Sequence, residues 1–83
     1  MRIDKFLKVS RLIKRRTVAN EACDAQRIVV NGRTVKASYD VKIGDVIEIR
    51  FGEKTLKVEV LTVSEHATKA DASAMYREVS AAT

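Results

Sequence analysis

Residues 27–36 read Arg-Ile-Val-Val-Asn-Gly-Arg-Thr-Val-Lys, and this stretch decides the fold. Ile28-Val29-Val30 and Arg33-Thr34-Val35-Lys36 have strand composition. Asn31-Gly32 between them supplies the two positive φ angles of a type I′ turn. A two-residue turn of this kind fixes both the hairpin and its register. The chain before it has helical spacing, and most of the chain after it alternates.

Upstream, Ile3, Phe6, Leu7 and Ser10 recur at i, i+3, i+4 and i+7, one face of a first helix. Arg2, Lys5 and Lys8 fall on the opposite side, so the helix offers a row of cations. Leu12 and Ile13 leave that register, which places a turn near Ser10 to Lys14. Thr17 to Ala25 predicts a second, short helix with a small-residue inward face of Ala19, Ala22 and Cys23. Lys14-Arg15-Arg16 then sits at or just before the second helix's N-terminus. There the helix dipole and unpaired backbone N–H groups favour an anion. Cations oppose the dipole at this position, and a bound phosphate would remove the conflict.

Downstream, Ser38 to Gly44 is a connection, and Gly44-Asp45 turns into a strand over Val46 to Phe51. In it Ile47, Ile49 and Phe51 alternate with Glu48 and Arg50. Gly52-Glu53-Lys54 forms the next turn. From Thr55 to Val63, Leu56, Val58 and Val60 alternate with Lys57 and Glu59. The tail predicts a short helix. Thr68-Lys69-Ala70-Asp71 has the form of a capping box, and Ala72, Met75, Tyr76 and Val79 follow at helical spacing. That stripe is expected to pack on the chain's own sheet, with a docking surface for a protein partner as the alternative. The expected class is α+β: two N-terminal helices packed on a small, mostly antiparallel sheet, with a short C-terminal helix. At 83 residues the chain has room for one domain and a modest core.

Charge is segregated. The net charge is +5, yet residues 1–36 hold ten basic and three acidic side chains, a net +7. Residues 37–83 hold six basic and eight acidic ones, a net −2. A basic half joined to a mildly acidic one points to a polyanion held against one face. No apolar run approaches the roughly 18 residues of a membrane-spanning helix, so no membrane partner is expected. The single cysteine cannot form an internal disulfide, and a cytoplasmic location is the default.

Nothing here has the chemistry of an enzyme. The one histidine, His66, stands beside Glu65 in a polar loop without a second ligand-type cluster. Cys23 lies on the small-residue face of a helix, as a core residue does. Asp40, Asp45 and Glu48 read as turn and solvent-facing positions. No glycine-rich phosphate loop occurs, and no cofactor is implied.

The assembled motifs resemble a known family. Arg2-x-Asp4-Lys5-x-Leu7, Ser10-Arg11, Lys14-x-Arg16, Ile28-x-Val30-Asn31-Gly32 and Val41-x-x-Gly44-Asp45-x-Ile47 look like the αL RNA-binding domain. That domain is of the "S-four" type, named for a small-subunit ribosomal protein. The core of the resemblance spans residues 1–50, with an extra strand and a short helix over 51–83. The small size, the Arg50-Phe51-Gly52 turn and the Ala74-Met75-Tyr76 tail look like the free-standing members that act in bacterial ribosome-associated quality control. The fifteen-kilodalton heat-shock protein is the other close relative.

This resemblance implies a set of partners: the 50S ribosomal subunit, large-subunit rRNA, peptidyl-tRNA and a protein that adds C-terminal alanine tails to stalled chains. A monomer is expected. The family usually has glycine where this chain has Gln26. Either a helix ends there in the left-handed conformation, at a cost of about 1 kcal/mol, or the helix end has shifted. Arg15 replaces a small polar residue common in the family.

The residues expected to contact RNA are Arg2, Lys5, Lys8, Arg11, Lys14, Arg15, Arg16, Asn31 and Arg33. Arg2 and Arg16 lead, because a guanidinium grips phosphate oxygens in pairs and an ammonium does not. Asp4 is acidic, and its expected role is to orient a neighbouring arginine. Since A-form RNA hides its major groove, shape, phosphates and 2′-hydroxyls should be read. The chain has four aromatics, too few for base stacking to dominate. Two other readings use the same residues: a DNA-binding helix-turn-helix with a wing, and a protein-interaction module built on the acidic half. If about six phosphates are neutralised, log K for structured RNA should fall with log salt at a slope near −4 to −5. A flat response in a salt titration of binding would contradict the basic-face model.

Overall fold

A computed structural model describes residues 1–64 and 69–79; Thr68 of the expected capping box and His66 lie outside the described residues. Helix α1 (Ile3–Val9) and helix α2 (Arg16–Asp24) come first. Strands β1 (Ile28–Val30), β2 (Arg33–Thr34), β3 (Val46–Phe51) and β4 (Lys54–Val60) follow, then helix α3 (Lys69–Ser73) and strand β5 (Tyr76–Glu78). The strands form one sheet in the order β2-β1-β3-β4-β5, every pair antiparallel. The α+β reading holds.

The hairpin forms as expected. Asn31 and Gly32 have φ of 51° and 85°, the two positive values of a type I′ turn, and Val30 pairs with Arg33. The β1 strand is buried at all three positions, so it does not alternate. Ile28 and Val30 enter the core cluster. Val29 faces the other side, flanked by its cross-strand partners Thr34 and Glu48.

Ile3, Phe6 and Leu7 of α1 are fully buried, which confirms the predicted stripe. Ser10 is buried as well, its hydroxyl donating to the Leu7 carbonyl at 3.3 Å. Ala19 and Cys23 bring α2 into the same core, with Ala22 packed against it from a partly buried position. Small side chains let the two helices approach closely.

Both helices end in the left-handed region without a glycine. Arg11 has φ 64° and Gln26 φ 61°. At Gln26 the N–H donates to the Cys23 carbonyl at 3.0 Å, and the Arg27 N–H donates to the Ala22 carbonyl at 2.9 Å. These are the paired bonds of a Schellman termination. Of the two alternatives posed by the missing glycine, the helix end has stayed in place.

The connection between β2 and β3 is tied down. Ile3 N–H donates to Tyr39 O at 2.8 Å and Asp4 N–H to Ala37 O at 3.3 Å, which fixes the start of α1 against it. Asp45, buried, accepts bonds from the Tyr39 hydroxyl (2.9 Å), the Lys42 N–H (3.0 Å) and the Asn31 side-chain amide (3.1 Å). The turn role expected of Asp45 is present, and it extends to the hairpin tip.

The tail differs from its expectation. Residues 69–73 make little more than one helical turn, closed by Ala74 N–H to Asp71 O and Met75 N–H to Ala72 O. Tyr76 then pairs with Val60 as the start of β5, and Val79 N–H reaches Lys57 O at 2.7 Å. Tyr76 and Val79 are therefore strand and strand-end residues, although their spacing matched a helix. The open edge of β4 offers unpaired backbone groups, and satisfying them outweighs a short helix's weak propensity. Likewise β4 stops at Val60, short of Val63, because the Leu61 N–H turns to Met75 O. Ala72 and Met75 are buried as the chain's own packing required. Gln26→Gly should raise stability by about 1 kcal/mol in chemical denaturation, and Gln26→Ala should give no such gain.

Candidate nucleic-acid interface

One buried carboxylate organises the basic face. Asp4, in the first turn of α1, is 2% exposed. Arg2 Nε donates to its Oδ1 at 3.2 Å and Arg2 Nη2 to its Oδ2 at 3.3 Å. Arg16, the first residue of α2, places Nη2 at 3.5 Å from Oδ1 and Nε at 3.4 Å from Oδ2. Asn20 Nδ2 donates at 3.4 Å, and the Lys5 backbone N–H at 2.8 Å. Burial pushes the Asp4 carboxyl up, yet the bonds from Arg16, Asn20, Arg2 and Lys5 together outweigh it and hold the group below the usual carboxylate range.

Both arginine side chains remain about half exposed, at 51% and 48%. Arg2 spends its Nε and one Nη2 hydrogen on Asp4, Arg16 spends one Nη2 hydrogen with its Nε at ion-pair distance, and each keeps its Nη1 edge for an external acceptor. Asp4 thus orients two neighbouring arginines, where the sequence led us to expect one. The two helices are joined at the same point.

The other expected cations surround this pair. Arg15 is the N-cap of α2, with no side-chain cap bond and no acidic residue in the first turn. The basic run therefore does stand at the helix's N-terminus. Lys8, Arg11, Lys14 and Arg15 are exposed, and among the described residues none of them forms an ion pair. Lys5 is only partly exposed, so the row of cations on α1 is less open than its spacing implied.

The sheet treats its cations differently. Glu48 lies 3.6 Å from Lys57 and 4.0 Å from Arg50, and Glu59 lies 2.7 Å from Arg77. The sheet's own acids partly neutralise it, whereas Lys8, Arg11, Lys14 and Arg15 leave the helical face with a net positive charge.

The hairpin residues stand apart from the Asp4 cluster. Asn31 uses its side chain internally: Nδ2 donates to Asp45 and Oδ1 accepts from Val46 N–H at 3.0 Å. Arg33 is exposed on edge strand β2. Cys23 is buried, and burial together with the nearby Asp4 and Asp24 charges pushes its thiol up to about 11, which suits a core residue. Among the described residues, no group of three or more potential metal ligands occurs, and no helix is long and apolar enough to cross a membrane.

Sequence reasoning missed Thr17, Asn20 and Glu21, which with Arg2, Asp4 and Arg16 line a concavity between the helices. The signal was present. Asn20 stands four residues after Arg16 and so shares its helical face.

Two helices packed on an antiparallel sheet, with this basic face, define the class, and the comparisons agree: a sequence model of the S4 domain matches residues 1–47. The chain is 55% identical over 80 residues to the RQC P-site tRNA stabilizing factor of Streptococcus pneumoniae, covering 96% of this chain and 91% of that protein. With the factor of the same name from Bacillus subtilis it shares 54% identity over 76 residues, 92% and 88% of the two chains. The trimeric structure of Vibrio cholerae Heat Shock Protein 15 superposes with a TM-score of 0.87 at 29% identity, over 95% of this chain and 81% of that one. The chain belongs to the S4-domain family and, within it, to the family of the RQC P-site tRNA stabilizing factors.

Asp4→Asn should cost roughly 2 kcal/mol of stability at neutral pH, since both guanidiniums lose a buried anionic partner. The native Asp4 carboxyl is lowered, so its contribution is fully present above about pH 4 and fades as pH falls through the lowered native value. Denaturation midpoints measured against pH should therefore drop in acid for the parent protein and run flatter for Asp4→Asn.

Proposed function

We propose that this protein is a non-catalytic RNA-binding factor of ribosome-associated quality control. It binds large-subunit rRNA and the peptidyl-tRNA on obstructed 50S ribosomal subunits. In doing so it assists the partner protein that extends the stalled chain with C-terminal alanines. The setting is the cytoplasm, and the chain acts as a monomer without a cofactor.

The observation that carries this reading is the pair of half-exposed guanidiniums locked by one buried carboxylate, with Lys8, Arg11, Lys14 and Arg15 exposed around it and, among the described residues, in no ion pair. A preoriented guanidinium loses little freedom on binding, and it grips two phosphate oxygens at once. Lys8, Arg11, Lys14 and Arg15 add field and further phosphate contacts around the pair. The relatives at 55% and 54% identity, both RQC P-site tRNA stabilizing factors, support the ribosomal setting and the tRNA partner.

The sheet side contributes shape. Its Arg50, Lys57 and Arg77 are engaged with Glu48 and Glu59, so it offers a polyanion less attraction than the helical face, and the helices dock first. In a sucrose gradient of cell lysate, the protein should comigrate with 50S particles at low and moderate salt. Arg16→Ala should stay near the top of the gradient while remaining folded by circular dichroism. Comigration with 30S particles instead, or 50S association unchanged in the folded variant, would refute the assignment.

A further inference from the structure

The concavity beside the Asp4 cluster has chemistry that phosphate binding leaves unused. It measures about 450 Å³, within the size range of small-molecule sites. Its lining is mostly apolar surface, to which the Arg2 and Arg16 stems and the Thr17 methyl belong. The same hollow carries Glu21, an exposed carboxylate on the exposed side of α2. Among the described residues Glu21 forms no ion pair, although Arg2 and Arg16 line the hollow with it. Asn20 spends its amide N–H on Asp4, which turns its carbonyl oxygen away from that carboxylate.

A phosphate gripped at the outer edge of one guanidinium would not enter this hollow. Glu21 repels it, and Asp4 already takes part of each guanidinium. The carboxylate instead asks for hydrogen-bond donors, and the Nη1 edges of the arginines ask for acceptors. The apolar stems and planar guanidiniums ask for a flat ring. Guanine meets all three conditions. Its O6 and N7 accept from a guanidinium, and its N1–H and N2 amino group donate to a carboxylate from the adjoining edge. Adenine places an amino donor beside N7, where the guanidinium needs an acceptor, and pyrimidines lack the O6–N7 pair.

We propose that this hollow receives one unpaired guanine of the bound RNA, stacked against the plane of one arginine, bonded in its own plane by the other, and read by Glu21. The inference rests on the RNA-binding function proposed for the same face. Proteins that read RNA sequence do so chiefly at unpaired bases, and here guanidinium planes replace the aromatic platforms that the chain lacks.

The test uses the full chain and a set of fluorescently labelled RNA hairpins, identical except for one bulged nucleotide: G, A, C, U or inosine. Anisotropy titrations should show the G hairpin bound about tenfold more tightly than the A, C and U hairpins. Inosine, which lacks the N2 amino group, should fall between. Glu21→Ala, an exposed helical substitution, should remove most of that preference, while the affinity for the A, C and U hairpins rises modestly because a carboxylate that repels phosphate is gone. Equal affinity for all five, or a guanine preference that survives Glu21→Ala, overturns the guanine site and leaves RNA binding standing. If no hairpin binds at low salt, RNA binding itself fails and the guanine site fails with it.

Discussion

The buried carboxylate of Asp4 is the constraint on which the rest of the basic face depends. A carboxylate out of water is costly unless it is paired and hydrogen-bonded, and this one collects donors from Arg2, Arg16, Asn20 and the Lys5 backbone. Those donors come from both helices, so satisfying one charge also sets how α1 and α2 lie against each other. The two guanidiniums emerge half in solvent with fixed planes and free outer edges. Stability and ligand geometry are therefore coupled: what keeps Asp4 ionised in the interior also points two cations outward.

Backbone geometry does the second part of the placement. Both helices stop by turning one residue left-handed, at Arg11 and at Gln26, and neither position uses the glycine that would make the turn easiest. At Gln26 the turn delivers the chain directly into β1, since Arg27 N–H is still bonded to α2. At Arg11 a cation occupies the strained position, so the local cost accompanies a gain in charge on the basic face. Asn31 makes the same backbone move at the hairpin tip and satisfies its side chain against Asp45 and Val46. Charge follows the same division. Acids sit beside Arg50, Lys57 and Arg77 of the sheet, whereas among the described residues Lys8, Arg11, Lys14 and Arg15 of the helical face form no ion pair.

The sequence by itself determined the elements whose signals are local. A two-residue Asn-Gly turn dictates its own backbone and the register of β1 with β2. The i, i+3, i+4 stripe of Ile3, Phe6 and Leu7 specifies a buried helical face, and the cationic run at residues 14–16 announces the start of α2. Arg2, Asp4 and Arg16 could be named from their motif, with Asp4 as an orienting group. Only the tertiary structure decided the rest, because those outcomes depend on which groups meet across long separations. Tyr76 and Val79 fit a helix by spacing, yet the unpaired edge of β4 drew them into a fifth strand. Val29 is buried on the far side of the sheet because β1 became an interior strand, a fact of sheet order that spacing does not carry. That one carboxylate would gather two arginines and Asn20, and open a hollow with Glu21 on its lining, required α1 and α2 to be packed first. Periodicity records which face of an element is apolar, and packing decides which polar groups on two such faces come within bonding distance.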